Sequence, residues 1–101
     1  MRNPAAQGRP DANQAEIVGV YESLFCGVID THKLGFGFPD ILLHYSGWCG
    51  PREIKTEDGE LNAAQRTFAR DWKGPKIKII RTMQQAIDDV QEVRRRMAGL
   101  K

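Results

Sequence analysis

A short alternating strand, KIKIIR at residues 76–81, stands between two helix-length segments, and that placement constrains the fold more than any other feature of the chain. Upstream, residues 63–72 read as a helix, with Asn62 placed to cap its start and Gly74-Pro75 to end it. Before that helix come two β-rich runs, residues 40–45 and 48–55, joined by the turn pair Ser46-Gly47. A strand that leads through a helix into another strand pairs with it in parallel by a right-handed crossover. Residues 76–81 are therefore expected beside residues 48–55, around Ile54 and Ile79.

The remaining elements fit around that unit. Asp11 or Asn13 can cap a first helix whose stripe is Ile17, Val20, Tyr21 and Leu24, with Glu16 at its edge. Residues 26–32 are β-branched and short, hence a strand, and KLGFGFP is a Gly-rich connection. In the middle helix the stripe is Leu61, Ala64, Phe68 and Trp72, and in a final helix it is Met83, Ile87, Val90 and Met97. The order α-β-β-β-α-β-α predicts an α/β fold with a mixed four-stranded sheet flanked by helices. Residues 1–10, with two prolines and no apolar periodicity, read as a flexible arm, and residues 11–101 as a single domain. A chain of 101 residues buries roughly 65% of its unfolded surface, enough for one modest core.

Composition excludes several classes. No apolar run approaches the ~20 residues of a spanning helix, so no membrane partner is expected. Cys26 and Cys49 lack the spacing and flanking histidines of a zinc site, and neither has a base to make it a nucleophile. With no signal-like N-terminal stretch, the reading is free thiols in a reducing, cytoplasmic setting. Net charge is only +2, but residues 66–81 concentrate Arg66, Arg70, Lys73, Lys76, Lys78 and Arg81 against Asp71 alone. Such a segment suits a phosphate backbone. It reads equally well as a solvated helix face beside a lysine-guarded edge strand.

The hairpin register brings chemistry into view. If Ser46 and Gly47 are the loop, Tyr45 faces Trp48 and, counting outward, Asp40 faces Glu53 with Cβ atoms about 5 Å apart. Lys55 shares their sheet face by the two-residue period. Opposed carboxylates repel unless a proton or cation intervenes, and hard oxygen ligands suit Mg²⁺ or Mn²⁺. Lys55 could then position an attacking water or offset charge on a phosphorane. The other reading is a surface cluster in which Lys55 neutralises two acids. Glu16, on the margin of a core-facing stripe, and Gln65, its amide aimed at the sheet, suggest that the five residues form one polar site. Gly50 and Pro51 sit just before Glu53, where a bulge would slip the register.

FPD at residues 38–40 followed by EIK at residues 53–55, with a preceding helix glutamate at Glu16, resembles the PD-(D/E)xK nuclease signature. With DANQAE at the first helix, GFGFPD, and LNAAQRTFARDW, the pattern is similar to small phage nucleases of the VRR-NUC and Holliday-junction-resolvase-like group. The resemblance spans about residues 11–98 and implies a restriction-endonuclease-like core. It further implies Asp40 and Glu53 as metal ligands with the Ile54 carbonyl, Glu16 binding the metal directly or through water, Lys55 serving the water, and Gln65 orienting Lys55 or that water. The implied activity is Mg²⁺-dependent hydrolysis of DNA phosphodiesters by a homodimer, with branched or junction DNA favoured and a phage-encoded role in replication, repair or recombination. Arg66, Arg70, Lys73 and Lys33 are the candidate DNA contacts.

Two alternatives carry no turnover: a DNA-binding or accessory subunit with the same fold, and a protein-interaction module. His32 and His44 read as packing or surface residues, although His44 would share the site face. Phe36, Phe38, Trp48 and Trp72 read as core or loop anchors, with stacking of Phe36 or Phe38 on an unpaired base as the other reading. Arg94, Arg95 and Arg96 complement a helix C-terminus.

Overall fold

The computed structural model describes residues 13–99. The predicted arm and the Asp11 cap lie outside the described residues. The elements run α1 (Gln14–Ser23), β1 (Gly27–Asp30), β2 (Ile41–Tyr45), β3 (Trp48–Ile54), α2 (Ala63–Asp71), β4 (Lys78–Ile80) and α3 (Met83–Gly99). One mixed sheet in the order β1-β2-β3-β4 is antiparallel except for the β3–β4 pair, which is parallel with Glu53 opposite Ile79 and Ile54 opposite Ile80. The element order and the parallel pairing of β3 with β4 are those expected from the sequence.

The hairpin register also holds. Tyr45 lies opposite Trp48 and Ile41 opposite Arg52, without a slip at Gly50 or Pro51. Ser46 and Gly47 both have positive φ (49° and 86°), as a two-residue turn that follows strand twist requires. Pro51 is tolerated in a central strand because of the side on which its missing donor falls. The Ile54 amide faces the β2 side and the Lys55 amide bonds the Ile80 carbonyl of β4, so odd-numbered amides of β3 face β4. Pro51 shares that direction, ahead of Lys78 where β4 begins. No ladder bond is lost.

One face of the sheet carries the core. Ile41, Leu43, Ile54 and Ile80 pack under Ile17 and Tyr21 of α1 and Ala86 and Val90 of α3. Their burial is the main favourable term holding the fold together, about 1.5–3 kcal/mol for each large side chain. The buried stripe of α3 differs from the expected one: it is Ala86, Asp89, Val90 and Val93, while Met83 is exposed. Apolarity alone misplaces this stripe because its central member is a carboxylate. Asp89 accepts from Tyr21 Oη (2.6 Å), Arg52 Nε (2.7 Å) and Nη2 (2.9 Å), and Lys78 Nζ (3.1 Å), so its charge is fully bonded inside the core. Lys78 also pairs with Glu92.

The middle helix departs further. Asn62 and Gln65 form a reciprocal capping box, yet no residue of α2 is buried and Ala64 is exposed. The stripe reduces to Phe68 and Trp72, stacked on each other at 5.3 Å and met edge-on by Phe38 at 5.2 and 6.4 Å. The helix is thus held by the β1–β2 connection. At Gly37 (φ 80°) an added Cβ would lie 2.2 Å from the Ala64 carbonyl, so only glycine permits this approach.

Candidate functional site

The candidate site lies where β2 stops pairing with β3. Asp40 is one residue beyond the last pair and is fixed from behind by Thr31, whose amide donates to the Asp40 carbonyl (2.8 Å) and whose hydroxyl donates to the Pro39 carbonyl (2.7 Å). Its carboxylate Oδ2 accepts the Ile54 amide at 2.8 Å. A side chain thereby replaces the strand carbonyl that would otherwise have met this amide. The Ile54 carbonyl leaves β3 on the same side as its amide, toward Asp40.

Glu53 and Lys55 flank Ile54 and, by strand alternation, point to the sheet face opposite the core. Glu53 is 2% exposed, whereas Lys55 is half-buried. The Lys55 carbonyl accepts from Asn13 Nδ2 (3.1 Å), which also donates to the Arg81 carbonyl (3.0 Å). Asn13 therefore occupies the N-cap position of α1 without capping it, and instead ties the helix start to the ends of β3 and β4. Arg81 organises the segment after Lys55 by donating to the carbonyls of Thr56 (2.8 Å) and Gly59 (2.6 Å). Its charge is turned inward rather than outward to a ligand.

Two predicted members stand differently from expectation. Glu16 is exposed, because the buried face of α1 runs Gln14, Ile17, Tyr21, with Gln14 only 5% exposed. Gln65 is half-buried, but its Oε1 accepts the Asn62 amide (2.8 Å) in the capping box and is not aimed at the sheet. Capping competes for a side chain at this helix position and wins here. Gln14 was missed. Its Oε1 and the Asn13 Oδ1 are buried with no hydrogen-bond donor among the described residues. A buried acceptor left in that state costs about 1–3 kcal/mol. Carrying the Ile17–Tyr21 stripe one turn back finds Gln14 directly.

Among the described residues no group of three or more His, Cys, Asp and Glu side chains is close enough to hold a metal ion, so Glu16, Asp40 and Glu53 do not converge as a triple. Asp40, Glu53 and the Ile54 carbonyl remain as hard oxygen donors, of the type Mg²⁺ or Mn²⁺ takes while retaining waters. His44 stands on the site face, its ring over Gly27, where a Cβ would lie 1.8 Å from the imidazole. His32 pairs with Asp30. Of the basic segment, Arg66, Arg70, Lys73 and Lys76 are exposed, with Arg70 paired to Asp71, while Lys78 and Arg81 serve the fold. Lys33 is exposed in the β1–β2 connection. Arg94 donates to the Leu24 carbonyl at the end of α1 and lies over the Tyr45 ring. Cys26 and Cys49 are free thiols, the first buried and the second exposed. No helix among the described residues is long and apolar enough to cross a membrane.

No protein-family model, no curated protein and no solved structure matches the chain.

Proposed function

We propose that this chain is a divalent-metal-dependent deoxyribonuclease of PD-(D/E)xK type, built on a restriction-endonuclease-like core and acting on branched or otherwise structured DNA, as a homodimer. The observation that carries the reading is the Asp40–Ile54 bond of 2.8 Å, which sets one carboxylate at the strand gap beside Glu53 and Lys55. Asp40, Glu53 and the Ile54 carbonyl would hold Mg²⁺ or Mn²⁺. Such an ion supplies Lewis-acid polarisation of a phosphoryl oxygen and a more acidic water. Lys55 Nζ orients the attacking water or offsets charge as it develops on the phosphorus oxygens. Gln14, rather than the exposed Glu16, is the buried polar side chain at the start of α1. Lys33, Arg66, Arg70 and Lys73 receive the phosphate backbone.

The test is cleavage of plasmid, linear and four-way-junction DNA with Mg²⁺ or Mn²⁺. The reading expects cutting by the wild type, strongest on the branched substrate, and none by Asp40→Asn or Glu53→Gln. DNA bound but uncut under all these conditions would favour the non-catalytic DNA-binding subunit instead.

A further inference from the structure

Phe36 contradicts both local and global preference. It is 95% exposed, and it occupies the first central position of the Gly35–Phe38 turn, closed by the Phe38 amide on the Gly35 carbonyl (3.0 Å). Its φ is 57° between glycines at 76° and 80°, and a turn with positive φ at both central residues favours Gly, Asn or Asp there. An aromatic side chain gains nothing from the fold at such a place. Phe25 also combines positive φ with exposure, but there the left-handed residue follows the end of α1, an ordinary way for a helix to stop.

The turn is nonetheless rigidly seated. Gly37 lies against the Ala64 backbone, and Phe38 is locked into the Phe68–Trp72 pair. Lys33 precedes the turn, and Arg66 and Arg70 project from α2, with Lys73 just after it. Four residues after Phe36 the chain reaches Asp40. A solvent-facing ring on a turn seated against α2, with Lys33 before it and the exposed Arg66 and Arg70 on that helix, has the chemistry of single-stranded nucleic-acid recognition, in which bases stack on aromatics while cations follow the backbone.

We infer that Phe36 is a stacking post for an unpaired base, so that DNA with bases outside a duplex is the substrate class of the site. This rests on the nuclease reading for its catalytic meaning, but the stacking is measurable without turnover. In an Asp40→Asn background, where the amide oxygen can still accept the Ile54 amide, fluorescence anisotropy would compare a labelled single-stranded oligonucleotide with a blunt duplex of matched length. Phe36→Ala should lower the ratio of single-strand to duplex affinity roughly tenfold, and Phe36→Trp should restore it. An unchanged ratio, or no binding to either DNA, overturns the inference. So does a loss of self-association by sedimentation in Phe36→Ala without a change in that ratio, which would make a second copy of the chain the occupant. A falling ratio in a protein whose wild type cuts no DNA leaves the stacking post standing and removes the catalytic reading. Cutting with an unchanged ratio does the reverse.

Discussion

Arg52 and Glu53 are neighbours on β3, both 2% exposed, yet they face opposite sides of the sheet and opposite kinds of surroundings. Arg52 enters the core, where Asp89 receives it through two nitrogens, the Pro51 and Lys76 carbonyls take further bonds, and the Trp48 ring lies 5.1 Å from its guanidinium carbon. Glu53 points to the opposite face, one residue before Ile54, whose amide is held by the Asp40 carboxylate. The first ion is part of the packing. The second lies on the opposite sheet face, next in sequence to the Ile54 amide that Asp40 holds. The contrast says that breaking the two sides should have different consequences, one for stability and one for turnover.

The largest effect is expected on the core side. Asp89→Asn leaves Arg52 charged and buried without its counter-ion and should cost about 3–5 kcal/mol in denaturant unfolding. Replacing both partners, Arg52→Met with Asp89→Leu, should recover most of that loss, because the uncompensated charge is gone. On the site side, Lys55→Ala should reduce cleavage by roughly 10²–10³-fold, while its melting temperature stays within a few degrees of wild type. A large stability loss in Lys55→Ala would erase the distinction between the two sides.

A smaller effect separates the two tasks of Asp40. Asp40→Ala should cost about 1–3 kcal/mol by leaving the Ile54 amide without its acceptor, whereas Asp40→Asn should cost clearly less, with both variants inactive. The smallest effect concerns acid. Burial works to raise the Asp89 carboxyl, but the hydrogen bonds and charge of Arg52, with Tyr21 and Lys78, outweigh it and hold the group below its ordinary value. Its contribution is therefore fully present above the unfolded carboxylate value, about 3.9, and is lost as pH falls through the lower folded value. Urea midpoints from pH 5 downward should drop steeply in the wild type and more shallowly in the double replacement. In the same network, burial and the neighbouring Asp89 push the Tyr21 phenol far upward, so it remains a donor throughout.

The sequence made the strand order, the parallel crossover and the hairpin register legible, because these depend on turn chemistry and on residue alternation, both local. Glu53 and Lys55 on one face follow from the same counting. What it hid depended on long-range polar bonds. Asp89 breaks an apolar stripe because Tyr21, Arg52 and Lys78 reach it from other elements. Glu16, a carboxylate at the margin of the stripe, is exposed, while the period of α1 carries burial to Gln14, which the sequence reading did not weigh. Gln65 turned back to cap its own helix, a competition visible in the spacing from Asn62 but not resolved by it. Arg81 read as part of a basic surface, whereas three loop carbonyls claim it.

The most direct measurement of the central claim is calorimetric titration of Mn²⁺ into the wild type, Glu53→Gln and Phe36→Ala in metal-free buffer. The account predicts binding by the wild type and Phe36→Ala, its loss in Glu53→Gln, and a matching rise in melting temperature only where binding occurs. Equal heats from the wild type and Glu53→Gln, or none from the wild type, would contradict it.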